Sequence, residues 1–248
     1  MKRTILLGTM LAVAAAPSAL AQAAAPPPAP PAGWTLGGSV DAAYVSATGN
    51  SEVTTVSIGD KLAASRGNWT LRQMFAYVYG KTDGTESANQ LRAGLRAEYR
   101  ITDRFSGFAA VNYERNPYAG FSRRVDELFG AQWRALATSG DSVMFDAGGV
   151  YTQQANTDGT SSASPSARAA MGYKHLFGGK SHFSQNVEYV PNLTESGEYR
   201  MNSESALVAP LSGRISLRLG YLVQYNSRPP TTFGTTDRIF TSGLQVAF

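Results

Sequence analysis

Apolar and polar residues take alternate positions along most of this chain. The regularity is greatest at Leu91, Ala93, Leu95, Ala97 and Tyr99, which alternate without error with Arg92, Gly94, Arg96, Glu98 and Arg100. A period of two is the mark of a β-strand with one apolar and one polar face. The same pattern predicts strands over about Trp34 to Ala47, Glu52 to Ala64, Trp69 to Tyr79, Phe105 to Glu114, Arg124 to Leu136, Val143 to Gln153, Ala167 to Phe177, His182 to Pro191, Tyr199 to Val208, Ile215 to Ser227 and Arg238 to Phe248, twelve in all. Asp60 is the clearest misfit. It falls on the face of Thr54, Val56, Ile58 and Leu62, which predicts a β-bulge or a slipped register there.

A soluble sheet with one wet side alternates in the same way, so the connections have to distinguish the two. They alternate in length: Ile101 to Arg104, Ala137 to Ser142, Gly178 to Ser181 and Pro210 to Arg214 are short, whereas Thr82 to Asn89, Arg115 to Arg123, Gln154 to Ser166 and Arg228 to Asp237 are long and Asn192 to Glu198 is intermediate. Short turns on one side and extended loops on the other are the pattern of bacterial membrane barrels. Aromatic residues such as Trp34, Tyr44, Trp69, Tyr79, Tyr99, Trp133, Tyr151 and Tyr225 gather near predicted strand ends, where they would form two interfacial girdles. Arg238 to Phe248 sets Phe240, Leu244, Val246 and Phe248 on one face, as a closing strand turned to lipid requires. The predicted fold is therefore all-β, a transmembrane antiparallel up-and-down β-barrel of about twelve strands with both termini in the periplasm.

The first residues change the picture of compartment. Lys2 and Arg3, the apolar run Ile5 to Ala16 and Ala19-Leu20-Ala21 read as a secretory signal peptide over 1–21, cleaved after Ala21, with an apolar run too short to span a bilayer. Residues 22–32, with Pro26 to Pro28 and Pro30-Pro31, read as a semi-extended periplasmic tether, and 33–248 as the barrel. Loss of Lys2 and Arg3 lowers the 22 basic residues to 20 against 18 acidic ones, a net charge of +2 that gives no reason to expect a nucleic-acid partner. The chain has no cysteine, which excludes disulfides and thiolate chemistry, and its two histidines are too few for an ordinary zinc site. No cofactor or metal is expected.

Several short motifs occur in a recognisable order: Thr48-Gly49-Asn50-Ser51, Thr102-Asp103-Arg104, Tyr113-Glu114-Arg115-Asn116, Glu198-Tyr199-Arg200, Ser203-Glu204-Ser205-Ala206-Leu207 and Pro210-Leu211. Together they resemble the DUF481 family, which includes the salt-induced outer-membrane proteins of the YdiY type, over about Trp34 to Phe248. The resemblance implies a small outer-membrane barrel and brings no catalytic residue with it. Gln154 to Ser166 is Ser/Ala-rich and less acidic than the family leads one to expect, which speaks against cation binding by that loop. Likeness to outer-membrane proteins also implies that Phe248 is the terminal aromatic recognised by the barrel-assembly machinery.

Hydrolysis would need one of two histidines, and His175 and His182 both flank the Gly178-Gly179 turn at the periplasmic end, away from the external rim where barrel hydrolases work. They read as interfacial residues, and the chain as a non-enzyme. The face opposite the apolar one would point Asp41, Arg72, Arg92, Arg96, Glu98, Arg100, Asp126, Arg134, Asp146, Arg168, Lys174, Glu188, Glu204 and Arg218 into the lumen. One reading is a paired charge network that fills and stiffens a structural or envelope-stress barrel. The other is a narrow diffusion channel whose arginines favour anions or acidic oligosaccharides. Twelve strands lie between the eight that leave room only for side chains and the sixteen that enclose water, so strand number does not choose. The expected partners are outer-membrane lipid, lipopolysaccharide and the assembly machinery, with the chain a monomer.

Overall fold

The structure, a computed structural model, describes residues 33–47, 52–178, 181–230 and 232–248. The expected signal peptide 1–21, the tether 22–32 and the turn Thr48-Gly49-Asn50-Ser51 lie outside the described residues. The alternating stretches form β1 (Thr35–Ala47), β2 (Val53–Arg66), β3 (Trp69–Thr82), β4 (Thr85–Arg100), β5 (Phe105–Asn116), β6 (Phe121–Ala137), β7 (Asp141–Asn156), β8 (Ser161–Gly178), β9 (Ser181–Pro191), β10 (Tyr199–Ser212), β11 (Ile215–Asn226) and β12 (Thr236–Ala247). Each pairs antiparallel with its neighbours in sequence, and β12 returns to β1, so the twelve strands close a barrel. β1 begins and β12 finishes at one end, the terminal end; the opposite end is the loop end.

Register turns the period-two pattern into two surfaces. Arg92, Asp146, Arg168 and Arg218 are buried inside, while Leu36 is 67% exposed and Phe129 66% exposed outside. Charges within and bare apolar side chains without invert the order of a water-soluble domain, and they are what a closed sheet needs in hydrocarbon, where every backbone polar group must be paired. Two aromatic belts bound this surface. Trp69 meets Tyr99 edge to face, and Phe105, Trp133 and Phe145 stack, toward the terminal end. Tyr189, Tyr199 and Tyr225 lie ring against ring toward the loop end. Their Trp and Tyr members have the amphipathic rings that settle at headgroup depth.

Two expectations require correction. At Asp60 there is neither bulge nor slip: β2 runs through it in register with Val40 on β1 and Phe75 on β3. Its carboxylate stays on the outer face, where Gln73 Nε2 donates to Oδ1 at 2.9 Å, softening an otherwise costly exposure to lipid. The connections Thr82 to Asn89, Arg115 to Arg123 and Gln154 to Ser166 are not long loops; the second shrinks to residues 117–120 between β5 and β6. β3 and β4 turn at Asp83-Gly84, and β7 and β8 at Thr157–Thr160, so the polar residues around them continue the strands. Their polarity marks backbone that has left the apolar belt, not backbone that has left the sheet. Residues 192–198 and 227–235 do form longer connections.

Closure is brief. β1 and β12 pair only from Ser39↔Ala247 to Ala42↔Leu244, whereas β1 and β2 pair from Thr35↔Ser65 to Ala47↔Val53. Phe248 extends the seam by one step, since its N–H donates to Gly38 O and its carbonyl accepts from Gly38 N, both at 3.0 Å.

Candidate functional site in the lumen

The inward positions of successive strands assemble a charge network with Asp146 at its hub. Asp146, on β7, is 2% exposed. Its Oδ2 takes Arg96 Nη1 from β4 at 2.8 Å and Arg168 Nη1 from β8 at 3.2 Å, and its Oδ1 accepts from Gln132 Nε2 at 3.1 Å. The chain of contacts continues at both ends. Arg96 Nε lies 2.7 Å from Glu98 Oε1, which also takes Arg72 Nε at 3.2 Å; Arg168 Nε lies 2.6 Å from Glu188 Oε2, whose other oxygen accepts from Asn202 at 3.0 Å. Arg96 reaches past β5 and β6 to β7, so the link joins strands that are not neighbours in the ring.

Arg96 is held there by packing as well as charge. Its guanidinium sits 3.8 Å from the centre of the Phe108 ring, a cation–π contact. Phe108 belongs to an apolar cluster inside the barrel with Leu128, Val150 and Val190. The ring has room because Gly130 and Gly148 face each other beneath it: a Cβ on Gly130 would meet Phe108 at 2.9 Å and Ala147 O at 2.3 Å, and one on Gly148 would meet Phe129 O at 2.1 Å. A second crossing joins Arg200 on β10 to Asp126 on β6 at 3.3 Å, braced by Thr152, whose hydroxyl donates to Asp126 at 2.6 Å. Arg218 and Glu204 form a buried pair at 2.8 Å on adjacent strands.

The sequence-derived residues do not all join one network. Arg72, Arg96, Glu98, Asp146, Arg168 and Glu188 meet in the hub network; Arg218 meets Glu204, and Asp126 meets Arg200. Arg92 lies apart, 3.8 Å from Glu114. Arg100 instead reaches Asn68 Oδ1 at 3.1 Å on the terminal-end rim. Arg134 and Lys174 have no carboxylate within ion-pair distance among the described residues. Sequence reading missed Lys61, Glu114, Arg124 and Arg200 as lumen residues. Three of them lie near strand ends that it assigned to loops or margins, and Lys61 was obscured by the misfit at Asp60; strict alternation from Ser57 and Gly59 would have found it.

Two chambers remain around these links. The loop-end chamber, about 100 Å³, is lined by Arg92, Glu114, Arg124, Asp126, Arg200 and Asp237 among others. Phe121, Pro229, Gly234 and Thr235 also line it, and Gly120 lies against Pro230 and Phe233 nearby. The terminal-end chamber, about 320 Å³, is lined by Lys61, Arg72, Arg96, Arg168, Lys174 and Arg218, with Met74, Ala110, Leu128, Ala206 and Val208 as an apolar wall. Met74, Asn112 and Glu188 border both chambers and form the neck between them. The neck is tight over Gly94, where a Cβ would meet Asn112 Oδ1 at 2.7 Å and Met74 at 3.1 Å.

Among the described residues the lumen is lined by charges that are mostly paired. His175 faces outward, its Nδ1 2.8 Å from Asp141, which also accepts from Tyr173 OH at 2.8 Å, while His182 borders the terminal-end chamber instead of lying at the interface. Among the described residues no group of three His, Asp or Glu is placed to hold a metal.

Comparison with known proteins gives a relative and several barrels. The uncharacterized protein YdiY of Escherichia coli (strain K12) is 24% identical over 209 residues, spanning 84% of this chain and 81% of the relative. The NanC porin superposes over 85% of this chain and 97% of its own, at 8% identity and a TM-score of 0.47. An anion-selective porin from Comamonas acidovorans superposes over 87% and 99%, at 10% identity and a TM-score of 0.43. The barrel topology stands on the strand pairing described above, independently of these superpositions. The model of the family described as "Protein of unknown function, DUF481" matches residues 40–248, and the chain belongs to that family.

Proposed function

We propose that this chain is an outer-membrane barrel of Gram-negative cells, exported by a signal peptide cleaved after Ala21, whose own ion pairs hold its lumen largely closed. The terminal end then faces the periplasm, and lipid and lipopolysaccharide surround the apolar belt. Its role on this reading is structural or tied to envelope and salt stress, with little steady transport. One observation carries it: Arg96 and Arg168, from strands four places apart in the ring, converge on the same buried oxygen of Asp146. In planar bilayers the wild-type protein is expected to give no steady single-channel steps.

Steady steps would instead support a second reading, a narrow channel for small anions or acidic oligosaccharides, favoured by the six cations that line the terminal-end chamber. That channel should lose its anion preference in Arg96→Glu; selectivity unchanged by the reversal would dispose of it.

Assembly through the closing strand is part of the proposal. Phe248 supplies both hydrogen bonds that extend the short seam to Gly38, together with an exposed aromatic ring on the lipid face. Deleting it is expected to lower the amount of folded, heat-modifiable barrel recovered from outer membranes. Recovery equal to wild type would rule out that role.

A further inference from the structure

We propose that the terminal-end chamber is a binding site for an organic monoanion with a compact apolar body, entering from the side of the chain termini. The inference goes beyond the readings above and does not depend on whether the barrel conducts. Its first support is charge. Of the six cations that line the chamber, Arg72, Arg96, Arg168 and Arg218 are joined to Glu98, Asp146, Glu188 and Glu204, and Lys61 lies in the field of Glu204 and Asp41. Lys174, half-buried, has no carboxylate in reach among the described residues, so the chamber carries one cation more than its carboxylates offset. A cation withdrawn from bulk water without a counter-charge is a site for an anion.

A second support is an unsatisfied donor in the wall. Arg96 lines the chamber and its Nη2, itself closed to solvent, has no hydrogen-bond partner while Nε and Nη1 are engaged, so a carboxylate oxygen gains that donor once the guanidinium turns toward the chamber. The remaining wall sets the class of ligand. Met74, Leu128, Ala206 and Val208 present hydrocarbon that an inorganic anion would leave unfilled, and about 320 Å³ is at the lower end of the roughly 300–1,000 Å³ typical of small-molecule sites.

Isothermal titration of the full detergent-solubilised barrel, in a buffer low in chloride, with benzoate, its neutral isostere benzamide and acetate tests this. Benzoate should bind with saturable heat, and benzamide and acetate at least tenfold more weakly. Lys174→Gln should weaken benzoate about tenfold while leaving the ligand-free melting temperature unchanged or raised, and Lys81→Gln, which removes a charge from the outer surface, should leave binding as in wild type. Equal affinity for benzoate and benzamide would overturn the charge assignment, and equal affinity for benzoate and acetate would overturn the apolar body. Undiminished benzoate binding in Lys174→Gln, or no benzoate binding by a barrel that is folded by melting and heat-modifiability, would overturn the site itself.

Discussion

Asp146→Ala is expected to cost about 3–5 kcal/mol of barrel stability, the range for breaking a buried ion pair from one side. The carboxylate is almost wholly buried and serves Arg96, Arg168 and Gln132 at once. Its removal leaves two guanidiniums facing each other across the lumen with Glu98 and Glu188 as their remaining carboxylate partners. Desolvated charge that has lost its partner costs more than the pair was worth. Like-charge repulsion would then push Arg96 and Arg168 toward opposite walls and part the link between β4 and β7. Thermal melts should record the loss of stability, and bilayer recordings should show steps in the variant where the wild type is silent. Asp146→Asn keeps the volume and one acceptor but no charge, so it should fall between the two. A variant that melts with wild type and stays silent would mean that Asp146 neither stabilises nor closes the barrel.

The second large effect comes from a position with no side chain. Gly148→Ala is expected to destabilise the barrel by about 3 kcal/mol, the upper part of the usual cost of overpacking, because the clash is with backbone and cannot be relieved by a rotamer. The added methyl would lie 2.1 Å from Phe129 O and close to Gly130, so β6 and β7 must separate where Phe108 rests on them. Arg96 stacks on that ring, and the disturbance should therefore reach the hub network. Gly140→Ala, in a turn where nothing lies within 4 Å of the new atom, is the matched control and should be neutral. Comparable melting of the two variants would show that the close approach of β6 and β7 is unimportant.

The strands were legible because alternation is a physical necessity in a barrel wall: each residue between Leu91 and Arg100 must choose lipid or lumen, and the choice is written in its polarity. The loop at Gln154 to Ser166 was misjudged for the same reason in reverse. Serine and alanine there signal water on both faces, which a strand projecting beyond the bilayer satisfies as well as a loop does. At the site, parity along each strand identified Asp146, Arg168 and Glu188 as inward, but it could not show that Arg96 would reach three strands away to Asp146. That depends on barrel curvature and on the space that Gly130 and Gly148 leave for Phe108, which are properties of the closed ring and not of any one strand. Lys174 was legible as a lumen cation, but not as one without a carboxylate in reach among the described residues, since pairing is decided across the lumen.

The shortness of the seam bears on the order in which the molecule comes together. Every other pairing joins strands adjacent in sequence, as Ser39 with Lys61, whereas the seam brings Ser39 to Ala247. Loop entropy grows by about 0.6 kcal/mol for each doubling of the separation, so closing the ring is roughly 2 kcal/mol harder than forming a hairpin, before any allowance for bending the sheet. Hairpins can zip one after another from local contacts, but the last edge has to wait for the whole ribbon to curl. With so few rungs to hold it, that edge is also the first to let go, and a barrel that opens by fraying will do so between Gly38 and Phe248.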